Sequence, residues 1–129
     1  MSKQIHVAVG VIQDHHKRTL LAKRPQHLHQ GGKWEFPGGK VEKQETTSEA
    51  LIRELKEEVN LDVISTEPMM EIHHDYGDKQ VFLDIHWVTN FSGEAKGLEG
   101  QQVCWVEKDQ LSQYEFPEAN KAILDRILG

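Results

Sequence analysis

The chain has 129 residues, of which 37% are hydrophobic and 28% are charged, and its formal charge is −6. This length and composition are typical of one soluble globular domain, which we expect to span residues 1–129, and they exclude a largely disordered protein. The negative charge argues against a duplex nucleic-acid partner, because such binding depends on many Lys and Arg contacts to phosphates.

The N-terminal part of the chain predicts strands joined by polar segments. Residues 5–12 are nearly all apolar, and residues 19–22 resume that pattern after a polar turn, which predicts a hairpin. Residues 25–33 are polar and lack periodicity, which indicates a surface loop. Residues 34–39 form a short extended piece. We expect the chain to turn sharply at its two glycines, since glycine takes backbone angles closed to other residues.

Residues 46–59 carry the clearest helix pattern. Leu51, Leu55 and Val59 recur at i, i+4 and i+8, which predicts an apolar stripe that faces the core. The hydroxyl residues at the start of the segment can cap the helix. Asn60 stands where helices commonly end in a left-handed residue, a conformation that Asn tolerates better than most residues.

The C-terminal part predicts three strands and a helix. Residues 61–76 and 80–91 indicate two long strands that form a second hairpin. Residues 93–100 form a glycine-punctuated loop, Val103–Val106 is a short strand and residues 119–128 indicate a final helix. This order of elements predicts an α+β fold in which a mixed β-sheet lies between helices as an α/β/α sandwich.

The sequence indicates a cytoplasmic location. Cys104 is the only cysteine, so no intrachain disulfide is possible, and its strand setting predicts a half-buried side chain. No apolar stretch approaches the roughly 20 residues that cross a bilayer, so we expect no membrane association. We also expect no secretory signal, because the first residues lack its apolar region.

Three glutamates of the predicted helix project from one face. Glu54, Glu57 and Glu58 are related by i+3 and i+4, so their like charges destabilise the helix by about 0.2–0.5 kcal/mol per pair. A hard divalent cation would offset this repulsion, since Mg²⁺ prefers oxygen ligands and often bridges carboxylates to substrate phosphates. Taken alone, the pattern is more typical of a solvated acidic face on which Arg53 pairs with Glu49 and Glu57.

The wider pattern resembles the Nudix box, the signature of the Nudix hydrolases. That box reads as a glycine, five residues, Glu, seven residues, Arg-Glu, an aliphatic residue, any residue, Glu-Glu, any residue, a glycine and an aliphatic residue. The matching residues are Gly39, Glu45, Arg53, Glu54, Leu55, Glu57, Glu58 and Leu61. Asn60 replaces the second glycine, and we expect this change to alter local stability more than chemistry.

The resemblance implies a loop–helix–loop site for Mg²⁺, with Mn²⁺ as a possible substitute. The implied metal ligands are the Gly38 carbonyl, Glu54, Glu57, Glu58 and Glu99. Arg53 would orient the glutamates, and Glu99 would complete the metal site or act as the base, although a loop glutamate is usually only solvated. The implied reaction is hydrolysis of a nucleoside triphosphate to a monophosphate and pyrophosphate.

Segments outside the box resemble the MutT group of this family. They are Gly10, residues 23–24, residues 34–40 and residues 116–120, which occur in the same order along nearly the whole chain. The resemblance implies hydrolysis of 8-oxo-dGTP, with 8-oxo-GTP left open, which would keep oxidised guanine out of DNA during replication. We expect a monomer. The implied substrate-binding residues are Arg24, His29, Glu35, Phe36, Pro37, Gly38 and Asn120.

Several of these residues have a competing structural role. Asn120 would bond the Hoogsteen edge of the oxidised base, because an amide offers both a donor and an acceptor, but it also suits the N-cap of the last helix. Phe36 would lie against the base or pack in the core. Arg24 would meet a phosphate or lie exposed at a strand end. His29 lies in a loop that closes over substrate in the MutT group, although surface histidines are common.

Two other functions are compatible with parts of this sequence. The runner-up is a Nudix hydrolase for modified pyrimidine triphosphates, because such relatives also carry Trp-Glu-Phe before the glycines. Asn120 after Phe116-Pro117 argues against that substrate. The other is a catalytically silent nucleotide-binding module. Such a module is expected to have lost box carboxylates, and all of them persist in this chain.

Overall fold

The computed structural model of the chain describes residues 3–27 and 31–129. Its strands are β1 Lys3–Ile12, β2 Thr19–Lys23, β3 Trp34–Glu35, β4 Gly38–Lys40, β5 Asp62–Asp75, β6 Lys79–Ser92 and β7 Val103–Val106. Helix α1 spans Thr47–Val59 and helix α2 spans Lys121–Leu128, preceded by short 3₁₀ turns at Lys108–Gln113 and Glu118–Asn120. No helix in these two ranges has the length and apolar character needed to span a membrane.

The strands form two sheets. The larger has the order β4-β1-β6-β5, in which β1 runs parallel to β6 and the other neighbours are antiparallel. The smaller has the order β3-β2-β7 and is antiparallel throughout. The fold is therefore α+β with a mixed sheet, as predicted, and the hairpin of β5 and β6 is confirmed.

The predicted hairpin of β1 and β2 is wrong. A bridge between Gln13 and Thr19 closes the turn, but the two strands then enter different sheets. The reason is that β1 has both of its edges occupied, one by β6 and the other by β4. No edge remains for β2, which pairs with β3 and β7 instead.

The two faces of β1 pack against different helices. Successive side chains of a strand point to opposite faces. Ala8 belongs to a buried cluster with Leu55 of α1, whereas Val9 belongs to a second cluster with Ile123 of α2. The helices therefore lie on opposite sides of the larger sheet, and the predicted stripe of α1 is fully buried.

Capping residues define both ends of α1. The Thr46 hydroxyl accepts a bond from the Glu49 amide at 3.1 Å, and the Glu49 carboxylate accepts one from the Thr46 amide at 2.8 Å. Asn60 ends the helix with φ 65° and ψ 28°, the left-handed conformation that its sequence position predicts. These caps fix both ends of α1, and therefore also the positions of its glutamates.

Candidate active site

The Arg53 guanidinium lies between two carboxylates. Its Nε and Nη2 donate to the two oxygens of Glu45 at 2.8 and 2.9 Å, and its Nη1 donates to Glu54 Oε1 at 2.7 Å. The bonds from Arg53 lower the pKa of Glu45 to about 2, and the bonds to Glu45 and Glu54 raise the pKa of Arg53. Glu57 lies 3.8 Å away, so the expected i+4 pair is the weaker contact. Arg53 thus holds Glu54 in one orientation.

The two glycines of β4 leave space for neighbouring groups and do not form a turn. Neither has a positive φ, so the expectation that they reverse the chain through special backbone angles is wrong. Both lie in a strand paired with β1, where a Cβ at Gly38 would collide with the Ala8 carbonyl. A Cβ at Gly39 would collide with the Glu54 carboxylate. The close approach of β4 to both β1 and α1 therefore requires glycine.

Glu58 has a buried carboxylate oxygen without a partner. Within the described residues, no donor reaches its Oε2 atom. Burial raises the pKa of Glu58 to about 8, and the charges of Glu54, Glu99 and Glu35 act in the same direction. A buried carboxylate oxygen without a partner is unfavourable, and a positive charge beside it would offset that cost. The oxygen donors present here suit a hard divalent cation.

The carboxylates do not form a closed cage. Among residues 3–27 and 31–129, no group of three His, Cys, Asp or Glu side chains is arranged to hold a metal ion alone. Glu57 is well exposed, with 59% of its side chain accessible. An open acidic face of this kind suits a hard divalent cation that keeps several waters and shares its ligands with substrate phosphates.

The loop between β6 and β7 brings Glu99 towards this face. The Leu98 amide donates to the Glu58 carbonyl at 2.9 Å, and the Lys96 amide donates to the Val59 carbonyl at 3.0 Å. Glu99 itself is exposed, and its charge contributes to the raised pKa of Glu58. The loop is therefore docked on the C-terminal end of α1, and the role of Glu99 at the metal site stays a prediction.

A cavity of about 530 Å³ adjoins the acidic face. The two glycines of β4 form the shared wall, since both line the cavity and a Cβ added at Gly39 would meet the Glu54 carboxylate. The predicted substrate residues that line the cavity are Arg24, Glu35, Phe36, Gly38 and Asn120. Its volume is in the usual range for small-molecule sites, which is about 300–1,000 Å³.

Asn120 occupies the N-cap position of α2 without capping it. Its backbone is helical, with φ −89° and ψ −8°, and its side chain makes no cap hydrogen bond. The residue instead lines the cavity. The competing role as a side-chain cap is therefore not realised.

The remaining predicted substrate residues differ in their surroundings. The Phe36 ring is 4% exposed and stacks on Phe116 at 5.3 Å, so it is mainly a core aromatic with an edge at the cavity. Arg24 Nη1 pairs with Glu35 Oε2 at 2.7 Å, and its contact with a phosphate stays a prediction. Pro37 is buried outside the cavity lining, where its carbonyl accepts a bond from the Gly10 amide at 2.8 Å. The predicted contact at position 29 lies outside the described residues.

Sequence reasoning missed four polar or aromatic residues of the cavity, which are Lys40, His74, Tyr76 and Glu118. Lys40 follows the glycines of β4, and His74 and Tyr76 come from the tip of the β5–β6 hairpin. The His74 and Tyr76 rings lie 4.3 Å apart. Only the pairing of β6 with β1 carries this hairpin to the cavity, so no local pattern identifies them. Lys40 could have been predicted from the sequence as a phosphate-binding residue, since a cation beside two glycines suits a phosphate.

Comparison with known proteins gives consistent similarities. A sequence model of the NUDIX domain family matches residues 8–126. The chain is 42% identical over 98 residues to a Proteus vulgaris protein named 8-oxo-dGTP diphosphatase, across 76% of this chain and 88% of that protein. It is 32% identical over 127 residues to an Escherichia coli K12 protein named CTP pyrophosphohydrolase, across 98% of this chain and 93% of that protein.

A solved structure shares the same architecture. This MutT structure, from work on the Aliivibrio salmonicida and Vibrio cholerae proteins, matches with a TM-score of 0.87 and 38% sequence identity. The match covers 98% of each chain. The match therefore spans the segments of this chain that carry the acidic face and the cavity.

Proposed function

The chain belongs to the NUDIX domain family, and we propose that it hydrolyses 8-oxo-dGTP to 8-oxo-dGMP and pyrophosphate with Mg²⁺ as its metal. One observation carries the choice of substrate. Asn120 lines a cavity that shares a wall with an acidic, Nudix-type helix face, and its amide is not used as a cap. The Proteus vulgaris relative named 8-oxo-dGTP diphosphatase supports the same choice.

The metal in this proposal is held by oxygen atoms of α1 and its neighbours. The ligands are the Gly38 carbonyl and the carboxylates of Glu54, Glu57, Glu58 and Glu99. The buried Glu58 Oε2 atom, which has no partner among the described residues, fits this role because a cation would supply its missing counter-charge. With Mg²⁺ held there, the phosphoanhydride would be polarised and the pKa of an attacking water would be lowered.

The chain's own side chains orient the reactants. Arg53 holds Glu54 in one orientation through the 2.7 Å bond to its Oε1 atom, so this carboxylate would bind the metal with little further loss of freedom. Glu99 either adds a ligand or takes the proton of the attacking water. Arg24 and Lys40 line the cavity and suit the phosphate oxygens.

In this proposal Asn120 recognises the oxidised base through hydrogen bonds. Its amide accepts a bond from the N7 proton that 8-oxoguanine carries and donates a bond to O6. Unoxidised guanine lacks that proton and leaves the amide oxygen unpaired, a loss of about 1–3 kcal/mol. The ring edge of Phe36 and the apolar side chains of β1 provide the contact surface for the base.

A second candidate function is hydrolysis of a pyrimidine triphosphate. It is favoured by the similarity to the Escherichia coli protein named CTP pyrophosphohydrolase, which covers nearly the whole chain. The two candidates share the metal chemistry and differ only in the base that enters the cavity. Asn120 favours the oxidised purine, because it has the donor and acceptor that match the Hoogsteen edge.

The test is hydrolysis of 8-oxo-dGTP, dGTP, CTP and 5-methyl-dCTP by the purified protein with and without Mg²⁺. The proposal expects Mg²⁺-dependent release of 8-oxo-dGMP and pyrophosphate, with 8-oxo-dGTP as the best substrate. Faster turnover of CTP or 5-methyl-dCTP would select the second candidate. No hydrolysis of any nucleotide would contradict both and favour a nucleotide-binding module.

We also propose an oligomeric state and a cellular location for the protein. A single domain acts as a monomer in the cytoplasm, where its DNA-precursor substrate is found. Light scattering of the active fraction tests the monomer, and a dimeric active fraction would contradict it.

A further inference from the structure

The side-chain amide of Gln101 bridges the backbones of two acidic residues. Its Nε2 donates to the Glu58 carbonyl at 3.0 Å, and its Oε1 accepts a bond from the Glu99 amide at 2.9 Å. We propose that Gln101 is a positioning residue that fixes Glu99 against the α1 glutamates, and that Asn60 anchors the other end of the same loop. This inference rests on the proposed function, which assigns Glu99 to the metal site.

The bridge uses the carbonyl groups that α1 leaves without partners. The last carbonyls of a helix have no intrahelical donor, so they must bond elsewhere. The Glu58 carbonyl accepts both the Gln101 side chain and the Leu98 amide. A side chain with only a donor or only an acceptor makes half of the Gln101 bridge, whereas an amide makes both bonds at once.

Glycines shape the loop around the Gln101 amide. A Cβ at Gly97 would collide with the Gln101 carbonyl and lie 3.1 Å from its Oε1 atom. Gly100, between Glu99 and Gln101, has φ +83°, a conformation that other residues seldom adopt. The loop therefore folds back on Gln101, which keeps the Glu99 backbone within reach of the amide.

Asn60 secures the start of the loop. Its Nδ2 donates to the Glu94 carbonyl at 3.1 Å, while its backbone keeps the left-handed conformation that ends α1. A glycine at this position of the box takes the same backbone angles but has no side chain to make that bond. Asn60 thus adds a tether at one end of the loop, and Gln101 provides the tether at the other end.

The test compares Gln101→Met with Gln102→Met. Methionine has similar length and flexibility but neither donor nor acceptor, and the neighbouring Gln102 has an exposed side chain, which makes it the matched control. Direct Mn²⁺ binding is measured by electron paramagnetic resonance on the nucleotide-free protein, and kcat and KM are measured with 8-oxo-dGTP. We expect Gln101→Met to weaken Mn²⁺ binding about 10–100-fold and to lower kcat more than KM changes, with the control unchanged.

Further variants separate the possible failures. Asn60→Gly is expected to weaken Mn²⁺ binding less than Gln101→Met does, and Gln101→Asn provides the test if the methionine variant does not fold. Wild-type Mn²⁺ binding and kcat in Gln101→Met, with both lowered in Glu99→Gln, would overturn the positioning role alone. Unchanged binding and kcat in Glu99→Gln would overturn the assignment of Glu99 on which the inference rests. Absent turnover by the wild type would instead contradict the proposed function, while Mn²⁺ binding still reports on Gln101.

Discussion

The Glu54 carboxylate occupies the space that a Cβ atom would need at Gly39. This close approach links β4 to α1. Strand β4 lines the cavity, and α1 carries the acidic face. A residue with any side chain at position 39 would push Glu54 away from the orientation that Arg53 gives it through their 2.7 Å bond. The glycine of the box is therefore explained by space at the site rather than by backbone angles.

Gly39→Ala is expected to lower kcat by about 100-fold, because a shift of roughly 1 Å in a positioned group has an effect of that size. Gly10→Ala is the control. Its Cβ would meet only side chains, the nearest at 3.3 Å, so it is expected to lower stability while keeping kcat. Steady-state kinetics and thermal unfolding of both variants check this, and wild-type kcat in Gly39→Ala would contradict the account.

Glu54→Gln and Glu58→Gln are each expected to abolish turnover while the protein stays folded. Each change replaces one carboxylate oxygen of the proposed metal site with an amide nitrogen that cannot bind a cation, and Glu58 Oε2 has no hydrogen-bond partner among the described residues whose loss would weaken the fold. Turnover of 8-oxo-dGTP is measured beside the unfolding temperature, with the exposed Glu71→Gln as control. Near-normal activity in either site variant would show that the substituted residue is not a metal ligand.

The pair of Glu45 and Arg53 is expected to make stability depend on acidic pH. The bonds from Arg53 lower the pKa of Glu45 from 4.5 to about 2. Because the folded-state pKa is the lower one, the pair stabilises the fold fully above pH 4.5 and loses its contribution as the pH falls towards 2. Glu45→Gln is therefore expected to be less stable than the wild type at neutral pH, with a difference that shrinks in acid. Urea unfolding across this range checks it, and a difference that does not vary with pH would contradict the prediction.

Asn120→Ala is expected to change specificity rather than stability. Loss of the base contact is expected to lower kcat/KM for 8-oxo-dGTP about 10–200-fold, with a smaller effect on dGTP. Removing a true N-cap side chain destabilises a protein by about 1 kcal/mol. No such loss is expected here, because the Asn120 side chain makes no cap bond. Reduced stability with unchanged selectivity would show that Asn120 serves the helix and not the base.

Local signals made α1 predictable from the sequence. The stripe of Leu51, Leu55 and Val59 and the left-handed Asn60 depend on residues within a few turns of one another. The same is true of the spacing of the box glutamates. The hairpin of β1 and β2 was predicted wrongly because strand pairing depends on distant segments, and β6 and β4 occupy both edges of β1.

Non-local contacts also account for what was missed at the site. The position of Gly39 was predicted but its reason was not, because Glu54 meets it only after α1 folds onto β4. His74 and Tyr76 reach the cavity only through the pairing of β6 with β1. Gln101 shows no motif at all, and its bridge becomes visible only when the Glu99 loop docks on α1.

The central claim is that this chain selects an oxidised guanine nucleotide for metal-dependent hydrolysis. The most direct measurement compares kcat/KM for 8-oxo-dGTP, dGTP and CTP in the presence of Mg²⁺, with products identified by chromatography. The account predicts that 8-oxo-dGTP is preferred, that 8-oxo-dGMP and pyrophosphate are released, and that chelation of the metal stops the reaction. Equal or faster hydrolysis of CTP or dGTP, or turnover that persists without a divalent cation, would contradict it.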